Sequence, residues 1–161
     1  MFLDASAIVA IVGGEPEARH LANKIEMAVT PICYSSLSVY EAIMSFARKK
    51  RGETLGGQLP IPAHLIDQSQ ELIERFLIEV DAQEVPIDMA MHRVAIKASR
   101  DYGRAVAHPA RLNFGDCFAY ACAKVHNIPL LYKGDDFPLT DIESLEAIKP
   151  QYGLSTLPVS T

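Results

Sequence analysis

Four carboxylates in this 161-residue chain stand where charge chemistry could be done. Asp4 closes the apolar run Met1-Phe2-Leu3. Glu41 lies early in a helix expected from Ser35. Asp116 sits within 112-LNFGDCFAYACA-123. Asp135 follows 129-PLLYK-133 and Gly134, with a second acid, Asp136, directly after it. Each has an ordinary explanation when taken alone. Asp4 suits a helix N-cap or an Asx turn. Ser38-Val39-Tyr40-Glu41 has the spacing of a capping box, although a helix beginning at Ser35 or Ser36 would leave Glu41 free in the second turn. Asp116 falls at the third position of a helix capped by Asn113, where an acid suits the dipole. Asp135 is a plausible turn residue, but two adjacent acids exceed what a turn requires.

Together the acids imply more. Clustered carboxylates raise one another's pKa and cost stability unless a cation neutralises them. Oxygen ligands without His or Cys select a hard cation, Mg²⁺ or Mn²⁺, over zinc. Such an ion, or a pair of them, activates water and stabilises charge developing at a phosphoryl centre. Gly115 adds to the case, because a glycine in the first turn of a helix costs up to ~1 kcal/mol against alanine. It makes sense there if another group approaches closely. Other chemistries find less support. No GxGxxG, GxxxxGK[ST] or GxSxG motif occurs, and His20, His64, His92, His108 and His126 are scattered without metal spacing. His108 is close enough in sequence to Asp116 to touch a substrate, although a loop histidine is more often merely solvated. Ser6 could bond a metal ligand or a phosphate, or simply cap the first helix.

The elements that must position these acids alternate in type. Strands are expected at 1–4, 29–34, 84–87, 129–133 and 146–149. Helices are expected from Ser6 to the Gly13-Gly14 break, from Glu15-Pro16 to about residue 28, from Ser35 to about Arg51, over 63–82, from Asp88 to the 103–112 loop, and over 114–126. The long helix at 63–82 carries Leu65, Ile66, Leu72, Ile73, Phe76, Leu77 and Val80 at 3.6-residue spacing. Short apolar strands without clean alternation, separated by helices, indicate a mainly parallel sheet covered on both faces. In such sheets ligands bind beyond the carboxyl ends of the strands, which is where the four acids fall. One domain is expected over 1–149, with 150–161 as a tail or edge segment.

Composition sets the remaining bounds. An apolar content of 49% can fill a real core, and no run approaches the ~18 residues of a membrane span. The opening residues do not resemble a signal peptide. Cys33, Cys117 and Cys122 make no CxxC pair, so reduced thiols in a cytoplasmic protein are expected. A net charge of −5 weighs mildly against nucleic acid as a partner of the whole surface. Local positive charge is nevertheless present in Arg48-Lys49-Lys50-Arg51 and, more loosely, in Arg100, Arg104 and Arg111.

The stretches 1-MFLDASAIVAIV-12, 35-SSLSVYEAI-43, 112-LNFGDCFAYACA-123 and 130-LLYKGDDFPLTD-141 resemble, in order and spacing, a PIN-domain ribonuclease of the VapC type, the toxin of a bacterial toxin–antitoxin pair. The resemblance implies a three-layer α/β/α sandwich, an acidic pocket for Mg²⁺ or Mn²⁺, endoribonuclease activity on RNA, a homodimer, and inhibition by a cognate VapB-type antitoxin. Carried over by residue, Asp4 and Asp116 become the principal metal ligands and Glu41 the third acid, binding metal or orienting water. Asp135 is taken as the fourth, with Asp136 the alternative. A non-catalytic module of the same fold is the main rival. A phospho-accepting receiver domain fits less well, because no acid closes the second strand.

Overall fold

In the computed structural model, which describes residues 1–142, four strands of two residues each carry the architecture. They are β1 (Phe2–Leu3), β2 (Cys33–Tyr34), β3 (Gln83–Glu84) and β4 (Leu130–Leu131). All pair in parallel, in the order β3-β2-β1-β4, with Phe2 opposite Cys33 on one side and Leu130 on the other. Backbone bonds extend the ladder past these cores, as from the Asp4 N–H to the Leu131 carbonyl at 2.9 Å.

Among the described residues six α-helices connect and cover the sheet: α1 (Ala5–Val12), α2 (Ala18–Glu26), α3 (Ser36–Leu55), α4 (Ala63–Glu79), α5 (Met89–Tyr102) and α6 (Phe114–His126). Side chains alternate across a strand, and both faces of β1 are fully buried. Phe2, Cys33 and Leu130 pack on one side with Met91, Ala95, Leu112, Tyr120 and Cys122 of the α5–α6 region. Leu3, Ile32 and Leu131 pack on the other with Ile8, Leu21, Phe46, Ile73 and Leu77 from α1 to α4. The expected three-layer sandwich with a parallel sheet is the fold of this chain.

The differences from expectation have local causes. The third strand lies at Gln83–Glu84 rather than 84–87; Val85 still donates to the Tyr34 carbonyl, but Pro86 has no N–H with which to continue. The second strand is confined to Cys33–Tyr34, and α2 begins at Ala18 after a turn through Pro16 and Glu17. The expected strand at 146–149 and the tail at 150–161 lie outside the described residues. All three cysteines are buried free thiols. Among the described residues, no helix is long and apolar enough to cross a membrane.

The order of the strands fixes where a site can form. From β1 the chain builds outward to β2 and β3 on one side, and it returns to β4 on the other. The crevice beyond the carboxyl ends of β1 and β4 is therefore the topological switch point of the sheet.

Candidate active site

Asp4 stands at that point. It is the N-cap of α1, and its Oδ2 accepts the backbone N–H of Ser6 at 2.8 Å and the Ser6 hydroxyl. The Ser6 Oγ accepts in turn from the backbone N–H of Lys133, just past β4, at 2.9 Å. One hydroxyl thus ties the acid after β1 to the chain leaving β4. Asp4 is only 4% exposed, and burial is the main reason its pKa is raised; the Ser6 hydrogen bonds oppose the shift, and Asp136 adds to it.

Glu41 arrives from α3. The side chain of Ser35 accepts from the Ser38 N–H, so the helix begins earlier than a Ser38 cap would require and Glu41 lies in its second turn. The capping-box alternative for Glu41 is thereby removed. Its carboxylate lies against Gly115: a methyl group on that glycine would sit 1.8 Å from Glu41 Oε2. The glycine in the first turn of α6 is explained by this approach. Burial, then the charges of Asp4 and Asp116, push Glu41 up to about 7.

Asp116 completes a reciprocal capping box with Asn113. Its Oδ2 accepts the Asn113 N–H at 2.7 Å, while Asn113 Oδ1 accepts the Asp116 N–H at 3.1 Å. That fixes one carboxylate oxygen and leaves Oδ1 outside the box. Burial raises Asp116 to about 6; the bond from Asn113 opposes the rise, the charges of Asp4 and Asp136 add to it, and the positive charge of Arg104 lowers it.

These acids share a cavity of about 300 Å³ lined also by Ser6, Ser45, Asn113, Lys133 and Asp136. The structure brings Asp4, Glu41 and Asp116 together as expected from the sequence, but the fourth acid on the cavity is Asp136 and not Asp135. Gly134, just before them, has φ +112°, a conformation open to glycine, and the two successive acids line different cavities. Asp135 lines a neighbouring cavity with Glu17, His20 and Lys24. Asp136 leads into a 3₁₀ turn, Phe137–Leu139, anchored by buried Phe137. Sequence reading also passed over Ser45 as part of the site, although it stands one helical turn after Glu41 and so on the same face. The Lys133 ammonium is engaged by Glu15 and, at 3.1 Å, by Glu17.

His108 does not join the site. Its Nδ1 accepts the Ala110 N–H at 3.1 Å, and its ring packs edge-on against Tyr102 at 5.4 Å, so it braces the 103–112 loop. The basic run of α3 is largely committed locally: Lys49 pairs with Glu15, Lys50 with Glu53, and Arg51 donates to the Leu59 carbonyl at 2.8 Å.

The donor set fits a hard cation. It consists of carboxylate, hydroxyl and amide oxygens, with no His or Cys, and Asp4, Glu41 and Asp116 are held at raised pKa by burial and by neighbouring negative charge that a cation would relieve. Among the described residues, no three His, Cys, Asp or Glu side chains converge into a ligand cluster. Mg²⁺ keeps several of its waters and takes only one or two carboxylates directly.

Comparison with known proteins bears on the family and the fold. The family model described as PIN domain matches residues 1–143. A VapC ribonuclease of Rhizobium meliloti is 39% identical over 141 residues, covering 88% of this chain and 98% of the relative. Ribonuclease VapC42 of Mycobacterium tuberculosis is 39% identical over 142 residues, covering 88% and 96%. Among solved structures, that of Mycobacterium tuberculosis VapC20, described as a Sarcin-Ricin loop cleaving toxin, superposes with a TM-score of 0.61 at 12% identity over 89% of this chain and 97% of that one. At that identity the likeness speaks to fold.

Proposed function

The chain belongs to the PIN-domain family and, within it, to the VapC ribonucleases, and on that footing we propose that it is a Mg²⁺-dependent endoribonuclease, the toxin of a bacterial toxin–antitoxin pair. The observation that carries the reading is the convergence of Asp4, Glu41, Asp116 and Asp136 on one cavity at the switch point of the sheet. Asp4 and Asp116 would hold the ion, with Asp136 and Glu41 beside them. When bound, Mg²⁺ or Mn²⁺ supplies an activated water and neutralises charge at the phosphoryl group.

The chain's own residues supply position and proton transfer. Ser6 holds Asp4, and Asn113 holds Asp116, so two carboxylates are oriented before substrate arrives. Glu41 makes no such hydrogen bond among the described residues, and its carboxylate lies against Gly115 on the same cavity. A carboxylate so placed is suited to orienting the attacking water and taking its proton. Ser6 also fixes the backbone at Lys133 and with it the approach to the turn that presents Asp136.

The partners proposed are RNA as substrate, a cognate VapB-type antitoxin and a second copy of the chain, all in the cytoplasm. The inner face of α4 is core, with Leu65, Ile73 and Leu77 buried, while Leu72 and Ile78 remain exposed for such a contact.

The test is cleavage of mixed-sequence single-stranded RNA by purified, antitoxin-free protein in Mg²⁺ and in EDTA. Wild type should cut only with the metal, and Asp4→Asn and Asp116→Asn should each lose at least about 10²-fold. Cutting that survives both substitutions would contradict the reading. Folded wild type that cuts no RNA, cellular transcripts included, would favour the non-catalytic binding module.

A further inference from the structure

A carboxylate pocket in a chain of net charge −5 repels the polyanion it is proposed to cut, so some local feature must hold the strand. The described surface offers one beside Asp116. Between α5 and α6 the chain closes a tight loop: the Arg104 N–H donates to the Leu112 carbonyl at 3.0 Å, and the Leu112 N–H to that of Tyr102 at 3.0 Å. Gly103 sits so close to α5 that a methyl group there would lie 2.3 Å from the Ser99 carbonyl oxygen. The backbone of Arg104 is thus pinned to Leu112, which lies two residues before Phe114 and four before Asp116, while Arg104 itself is exposed. Among the described residues it makes no ion pair. Phe114, the first residue of α6, packs edge-on against Phe118 at 5.1 Å and is still 69% exposed. An exposed aromatic ring and an unpaired arginine are the two groups with which proteins hold single-stranded nucleic acid.

We propose that Arg104 and Phe114 form the docking site for the RNA strand at the acid pocket, Arg104 binding a backbone phosphate and Phe114 stacking an adjacent base. The inference rests on the nuclease reading above and names the residues that bring its substrate in. Arg104 is distinguished from Arg100 and Arg111 in that its backbone is bonded to Leu112 and its charge is among those acting on Asp116. A planar guanidinium suits a phosphate, and a stacking ring takes any base, so the site would position the strand without selecting a sequence.

The experiment has two readouts. Binding of a short labelled single-stranded RNA is followed by anisotropy in EDTA, where the metal-dependent reaction is off, across a range of salt. Cleavage is followed separately in Mg²⁺. Arg104→Gln is expected to weaken binding about tenfold and to lower the slope of log affinity against log salt by about 0.7, with Arg104→Lys recovering the slope. Phe114→Leu is expected to weaken binding about tenfold, with Phe114→Tyr near wild type. In cleavage both losses should appear in KM, with kcat nearly unchanged and thermal melts like wild type. Wild-type binding and KM in Arg104→Gln or Phe114→Leu would overturn the proposal. So would an effect of Arg104→Gln confined to the pH profile, or a changed oligomeric state in Phe114→Leu without a change in RNA binding. If wild type cuts no RNA but the binding pattern holds, the docking site stands and the nuclease reading falls.

Discussion

Gly115 and Glu41 show how a single missing side chain can shape a site. The glycine is unfavourable in a first helical turn, and the space it leaves is filled by the Glu41 carboxylate. Gly115→Ala is therefore expected to separate stability from activity. The helix should gain up to ~1 kcal/mol, and Glu41, whose carboxylate is the flexible end of a side chain, can swing away. Displacement of a reacting group by about 1 Å costs on the order of 10²-fold in rate. A melting temperature equal to or above wild type with a 10- to 100-fold loss of cleavage is expected; full activity in the alanine variant would show that the contact is incidental. The oddity of Gly115, the capping role of Asn113 and the charge of Asp4 were all legible in the sequence. The choice between Asp135 and Asp136 was not. Two adjacent acids in one turn line different cavities, and which of them faces the site is set by the course of the turn after Gly134, which no local pattern encodes.

At the scale of elements, periodicity located the helices well because a buried stripe every 3.6 residues is a strong signal. The α4 stripe of Leu65, Ile73 and Leu77 is buried as its spacing implies. Strands two residues long give almost no periodicity, and Gln83–Glu84 is exposed on both residues, so β3 could be sensed only approximately from the apolar run after it. The 103–112 loop illustrates a different limit. Its glycine, histidine and arginines were visible, but their division of labour was set by packing that no local pattern encodes. Gly103 allows the approach to α5, His108 braces the turn, and Arg104 is left facing solvent. Likewise, the basic run of α3 looked the stronger cationic feature and proved to be largely occupied by Glu15, Glu53 and the Leu59 carbonyl.

For the whole molecule, the parallel sheet was legible from the alternation of elements, and with it the rim on which a site would lie. Strand order was not, yet the order is what makes the gap between β1 and β4 the switch point. Collecting acids there has a consequence for stability. Glu41 is raised from 4.5 to about 7 and Asp116 from 3.8 to about 6, so across that window the folded state binds more protons than the unfolded state. Stability must then fall as pH rises through it. Glu15, held low by Lys133 and Lys49, and Asp141, held low by Tyr120 and Lys124, act oppositely, and their stabilisation is lost as pH falls through their folded values. Without divalent cations, the melting temperature is expected to drop between about pH 5 and about pH 7.5. Glu41→Gln should flatten the drop and raise the value at the upper pH, and Mn²⁺ should restore wild type there. A melting temperature that climbs through this window in wild type, with Glu41→Gln indifferent, would contradict the electrostatics described.

The most direct measurement is Mn²⁺ binding at neutral pH by calorimetry or by the loss of the free-ion EPR signal. It compares wild type with Asp4→Asn, Asp116→Asn, Asp135→Asn and Asp136→Asn. If the cavity at the switch point is the metal centre, Asp135→Asn should bind like wild type. Asp4→Asn and Asp116→Asn should lose most of the affinity, and Asp136→Asn should weaken it about tenfold or more. Affinity unchanged by all four substitutions, or lost in Asp135→Asn and kept in Asp136→Asn, would mean that the metal centre is not this cavity.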